Sequence, residues 1–192
     1  MAVRKNQLSK ASKALRLIAS FLDPRIYLHG IKMLNYLNYS HVQPLRRVTK
    51  GRDLAISPDA VFADPDRITI GDRVRIGSRC HIWAGPSTGR IVIGDDVLFG
   101  PEVMVTAATY RYNDGTPVTK QLMDEADIII GRDVWIGVRA VILPGTRIGD
   151  GAVIGAGSVV KGDIPAFALA VGSPAKVVGS RNPVFEPSDL PH

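Results

Sequence analysis

Side chains able to move protons are few in this sequence, so their placing carries information. There are four histidines and a single cysteine, Cys80. His81 follows Cys80 and stands two residues before Trp83. An imidazole with a pKa near neutrality is suited to accepting a proton. A second polar group is continuous: Tyr110, Arg111, Tyr112, Asn113, Asp114 and Gly115. A tyrosine, with an ordinary pKa of about 10, stays protonated at pH 7 and is a poor base. His29 and His41 have no ligand-spaced partner and are read as solvated or packed. The histidines and the cysteine are scattered without the spacing of a zinc site, so no metal is expected. What remains is acid–base chemistry carried by the protein alone.

The elements that must position these groups announce themselves between Ile130 and Lys161. Ile130, Ile136, Ile142, Ile148, Ile154 and Val160 recur every six residues. Four positions after each comes a small or β-branched residue: Val134, Ala140, Thr146, Ala152, Ser158. Glycine follows the aliphatic residue at 131, 137, 149 and 155. A period of six fits neither an amphipathic helix nor a half-buried strand of period two. It is an internal repeat in which one aliphatic side chain points inward and Gly or Asp lets the chain turn. Three units make a triangular coil of about eighteen residues, and stacked coils give parallel sheets on three faces.

The period is already present at Ile70, Ile76 and Ile82, with Val74 and Cys80 at the inner small positions. Cys80 is therefore read as a packed thiol, and a lone cysteine fits a reducing cytoplasm. About five extra residues around Gly85–Gly89 form a corner loop before the period resumes at Ile93, Phe99 and Val105. It then breaks until Ile130, so a loop over roughly 110–126 leaves the solenoid. Loops on rigid scaffolds are where sites are built.

Charge is unevenly spread. Residues 1–52 hold eleven Lys/Arg against one acid, Asp23, whereas the remainder holds thirteen against seventeen. A basic arm on a mildly acidic body suggests an anionic surface, and no nucleic-acid motif accompanies it. Leu8, Ala11, Leu15, Ile18 and Leu22 form one helical stripe, Pro24 ends that helix, and 25–39 forms a second, weakened by Gly30. Two readings stand for this segment: a cap over the open end of the solenoid, or a helix on a membrane surface. No run of eighteen apolar residues predicts a transmembrane helix. The expected organisation is a basic helical segment at 1–55, the repeat domain with its loop at 56–178, and an irregular tail at 179–192.

The run VWIGVRAVILPGTRIGDGAVIGAGSVV, followed by DIPAFALAVGSPAKVV, resembles the hexapeptide-repeat O-acetyltransferases, the group with the maltose, galactoside and polysaccharide acetyltransferases. The resemblance covers about 70–178. It implies a mainly β fold, a left-handed parallel β-helix, assembled as a homotrimer with acetyl-CoA sites in the grooves between subunits. Carried over by position, Trp135 and Gly137 would flank the groove near the thioester. Ala156 and Gly157 would offer backbone groups to the pantetheine arm, and Lys176 would meet the nucleotide phosphates. The family's usual Thr-Lys-Asp is here Val160-Lys161-Gly162-Asp163, which puts Lys161 one position early as a second phosphate contact. Members of the family carry a histidine base at the start of the excursion loop, where this chain has Tyr110. The expectation is an exchange: His81 of one subunit is the base and Tyr110 of its neighbour a hydrogen-bonding partner. Trp83, and Asp114 in the loop, fall in the stretches expected to meet the acceptor.

The function this implies is acetyl transfer from acetyl-CoA to a sugar hydroxyl in surface- or exopolysaccharide biosynthesis, in the cytoplasm or at the inner membrane face, with residues 1–52 as the segment that would meet the membrane. Two alternatives stay open. One is a nucleotide-sugar N-acetyltransferase, whose neutral amine acceptor needs less help from a base. The other is a trimeric β-helix that binds without catalysis, since the usual histidine is Tyr110.

Overall fold

The computed structural model describes residues 9–181. Two compact units divide at Tyr39/Ser40. The first holds helices α1 (Lys10–Leu22) and α2 (Pro24–Leu37). Ser9 caps α1 by accepting from the backbone N–H of Ser12, and Asp23 caps α2 by accepting from that of Arg25, with Pro24 at the first helical position. Gly30 lies inside α2 without interrupting it. Leu8 lies outside the described residues; the rest of its stripe is in α1.

The second unit is a parallel β-helix of about six turns with three faces. The first face stacks the strands at Thr49, Ile68, Ile91, Ile128, Arg147 and Asp163; the second those at Ala55, Arg75, Leu98, Trp135, Val153 and Ala168; the third those at Val61, His81, Met104, Val141 and Val159. Register is strict. Ile136 pairs with Phe99 below and Ile154 above, and Ile142 pairs with Val105 and Val160. The six-residue aliphatics are thus one inward column per face, nearly all of it fully buried.

Coils sit close because the corners are small. A Cβ on Gly137 would lie 2.6 Å from the backbone nitrogen of Ala156. The residue two positions on turns through left-handed backbone, as at Arg79, Glu102 and Arg139 (φ 55–60°), and at the next coil the position is Gly157. Those strained corners stack their charges, Glu102 accepting from both Arg79 and Arg139.

Parallel pairing begins at Thr49, ahead of Ile56. No aliphatic marks that first strand, since Lys50 occupies the position paired with Ile70 and turns its ammonium to the Leu45 carbonyl at 2.7 Å. Helix α3 (Gln43–Arg47) and the turn before it lie over this end. His41 Nδ1 meets the Ala60 carbonyl at 2.6 Å and its ring packs toward Phe62, while Leu45 and Val48 join the core. At the far end the chain reverses, and Ala175–Ser180 pairs antiparallel with Ala168–Gly172. Strand structure therefore runs past 178; the rest of the expected tail, residues 182–192, lies outside the described residues.

Candidate functional site

Both irregular insertions leave the β-helix at one corner, between the third and first faces. The first is the loop 84–90. The second is a hairpin, whose strands Ala108–Tyr110 and Met123–Glu125 pair antiparallel. A single carboxylate ties them together. Glu125 accepts from the backbone N–H groups of Ser87 (3.0 Å), Thr88 (2.5 Å) and Gly89 (2.6 Å), and from both hydroxyls. Partial burial pushes its pKa up, but these donors outweigh that and hold it at about 2. Arg67 adds a bond from below to the Gly89 carbonyl at 3.0 Å. The sequence offers no sign of this clamp, because the partners lie 36–38 residues apart and neither segment is periodic.

Beside the hairpin base lies a cavity of about 410 Å³, lined in part by Thr106, Thr109, Tyr112, Asp124, Glu125 and Lys161. Ala108, Ala126, Leu143 and Pro144 complete the wall, so hydroxyls, acids and one ammonium stand on a largely apolar surface, a mixture that can take a molecule with both hydroxyls and an apolar face. A larger groove of about 840 Å³ runs along the second face, where Leu98, Trp135 and Val153 form an apolar strip beside Arg73, Arg75 and Arg181. Asp53, Asp96 and Asp133 line the same groove, Asp96 pairing with Arg73 at 2.7 Å and Asp133 with Arg181 at 2.9 Å, so two of the three arginines are already engaged and the indole strip suits a flat or apolar group.

The expected site residues divide among these places. His81 opens the third-face strand, pointing outward between Val61 and Met104. It is exposed, yet partial withdrawal from water pulls its pKa below the usual histidine value. Trp83, two residues on, is half-buried, and its indole N–H donates to Asp64 at 2.7 Å. Tyr110 ends the first hairpin strand, opposite Met123, about half exposed. Asp114 sits at the hairpin tip, where it accepts from the Thr116 N–H and hydroxyl at 2.9 and 2.6 Å and so shapes the turn. Both acceptor candidates therefore already have structural partners.

Gly137, Ala156 and Gly157 stack at the corner between the second and third faces, next to Trp135, with the Gly157 N–H bonded to the Val138 carbonyl at 2.8 Å. Lys176 lies exposed on the closing strand opposite Val171. Lys161 lines the hairpin cavity at a different corner. The chain thus brings Trp135, Gly137, Ala156 and Gly157 together and holds Lys161 apart from them. Among the described residues no hydrogen bond joins His81 to Tyr110. Cys80 is fully buried, donates to the Gly100 carbonyl at 3.2 Å, and burial raises its pKa, so it is a packed thiol. No group of three His, Cys, Asp or Glu among the described residues could hold a metal.

Comparison with known proteins adds to this geometry. A family model described as bacterial transferase hexapeptide (six repeats) matches residues 127–162, and one described as hexapeptide repeat of succinyl-transferase matches 67–87. A probable acetyltransferase of Mycobacterium tuberculosis is 34% identical over 169 residues, covering 86% of this chain and 55% of the relative. An Escherichia coli K12 protein named for lipopolysaccharide biosynthesis O-acetyl transfer is 32% identical over 123 residues, 60% of this chain and 61% of the relative. The chain therefore spans about half to three fifths of these two relatives. A galactoside acetyltransferase solved in complex with coenzyme A superposes with a TM-score of 0.67 at 30% identity, covering 83% of this chain and 82% of that one.

Proposed function

This chain belongs to the hexapeptide-repeat acetyltransferases, and from that premise we propose that it transfers acetyl from acetyl-CoA to a sugar hydroxyl. The observation that carries the reading is the match along four fifths of a galactoside acetyltransferase solved with coenzyme A, on the same solenoid. A glycan of surface- or exopolysaccharide biosynthesis is the acceptor we favour, supported by the relative named for lipopolysaccharide O-acetyl transfer.

In this reading the chain works as a homotrimer. A triangular prism presents flat faces, so a corner of one copy lies against a face of the next and closes a groove that one copy leaves open. Trp135 and Gly137 would flank the thioester, Ala156 and Gly157 would let the pantetheine arm approach the backbone closely, and Lys161 and Lys176 would meet the phosphates. His81 would take the proton from the acceptor hydroxyl as its oxygen attacks the thioester carbonyl. Its lowered pKa suits this, because the imidazole is then neutral at pH 7. Backbone N–H groups would hold the tetrahedral oxyanion until it collapses and the CoA thiolate leaves. Tyr110 of the neighbouring copy would donate a hydrogen bond, with Trp83 and Asp114 bordering the acceptor. Residues 1–52 would hold the enzyme beside a membrane-bound glycan. The mixed-polarity hairpin cavity supports a sugar as acceptor.

Acetyl transfer to an amino sugar is the second reading, favoured by the tyrosine at 110. Free-thiol release from acetyl-CoA across a panel of glycosides and amino sugars tests both. An acceptor-dependent rate with an alkali-labile product supports O-acetylation, and an alkali-stable amide product supports N-acetylation. Absence of release with every acceptor, despite CoA binding, supports a binding protein without catalysis.

A further inference from the structure

Helices α1 and α2 bury no residue, although each is amphipathic. At 100° per residue, Ala11, Leu15, Ile18 and Leu22 share one side of α1, with Ser12, Lys13, Arg16 and Ser20 opposite. On α2, Tyr27, Ile31, Leu34 and Leu37 face away from Arg25, His29 and Lys32, with Ile26 and Met33 at the border. Leu15, Ile18, Phe21, Leu22, Ile31 and Leu34 are each more than half exposed. The Tyr27 hydroxyl donates to the Phe21 carbonyl at 2.8 Å and braces the corner between the helices. An apolar surface of this size on a water-facing element marks a binding site.

The charge says what would cover it. Residues 9–39 hold five Lys/Arg and one acid, Asp23, which is engaged as the cap of α2. Arg25 reaches that carboxylate at 3.8 Å; Lys10, Lys13, Arg16 and Lys32 have no ion pair among the described residues. A second copy of the chain could cover the apolar faces but would bring only more cations. An anionic lipid surface satisfies both at once: acyl chains take the apolar faces, while headgroup phosphates meet Lys and Arg heads that snorkel upward. Helices of 13 and 14 residues are too short to cross a bilayer, and no described helix is long and apolar enough to do so.

We propose that the α1–α2 pair lies flat in the interface of an anionic bilayer, apolar faces down, and that this is how residues 1–52 meet the membrane in the reading above. The test is co-sedimentation of the full-length protein with vesicles of phosphatidylcholine alone or mixed with phosphatidylglycerol, at low and high salt. Wild type binds the mixed vesicles and releases in high salt. Lys13→Gln with Arg16→Gln weakens binding about thirtyfold, and Ile18→Glu with Phe21→Glu abolishes it. Light scattering shows an unchanged solution mass for both double variants, and acetyl transfer to a soluble acceptor is likewise unchanged, which keeps docking and catalysis separately readable. Equal binding to both kinds of vesicle, or to neither, overturns the proposal. So does a fall in solution mass for the glutamate variant, which would place these faces between copies of the chain.

Discussion

Glu125 is a side chain whose electrostatics the fold sets firmly. Five donors from a loop 36–38 residues away converge on one carboxylate and hold its pKa at about 2, against a usual 4.5. A depressed carboxyl stabilises the folded state fully above its unfolded pKa and loses that contribution as pH falls through the folded one. Glu125→Gln should therefore flatten the acid limb of a stability-versus-pH curve between about 4.5 and 2, followed by circular dichroism. The glutamine also places an amide N–H₂ against N–H donors, so the loop 85–89 should become an early proteolytic cut. A wild-type acid limb and an uncut loop in the variant would remove Glu125 from this role. His81 sits at the opposite extreme, exposed and with no side-chain hydrogen bond among the described residues, its pKa lowered by partial withdrawal from water. If it is the base, kcat/KM should fall on the acid side with a midpoint below the usual histidine value, because protonation removes the acceptor lone pair.

The repeat was legible at the level of elements because one physical requirement recurs at every coil: an inward aliphatic with a small neighbour. Ile136 is fully buried between Phe99 and Ile154, and Ile136→Ala should cost about 2–5 kcal/mol by chemical denaturation. Glycines divide by context. Gly137→Ala puts a methyl 2.6 Å from the next coil's backbone and should lower the melting temperature, whereas Gly30, with nothing within 4 Å of its would-be Cβ, sits in an exposed helix. Gly30→Ala should raise helix stability by about 0.5–1 kcal/mol. A destabilised Gly30→Ala would mean that α2 is not the helix described. What escaped the sequence was non-periodic. The first strand carries Lys50 in place of an aliphatic, and the hairpin pairing of Ala108–Tyr110 with Met123–Glu125 depends on a turn built by Asp114. The solenoid end is covered by His41, Leu45 and Val48, which settles His41 as packed where the sequence left it either solvated or packed.

At the scale of the whole molecule, the three faces separate what the sequence had gathered. Trp135 with the Gly137, Ala156 and Gly157 corner forms one surface, Lys161 and the hairpin another, and His81 opens a third. Positions six residues apart could be assigned to faces from the sequence, but not the distances between groups held at different corners. The clamp at Glu125 and the anchoring of Trp83 by Asp64 escaped for the same reason: each joins segments distant along the chain. Acetyl transfer across such a composite site is the central claim. Its most direct measurement is acceptor-dependent thiol release from acetyl-CoA by wild type, His81→Ala and Tyr110→Phe, with CoA binding measured on the same samples. His81→Ala should still bind CoA but lose about 10²–10⁴-fold in turnover, while Tyr110→Phe loses less. Full turnover in His81→Ala, with Tyr110→Phe inactive, would contradict this.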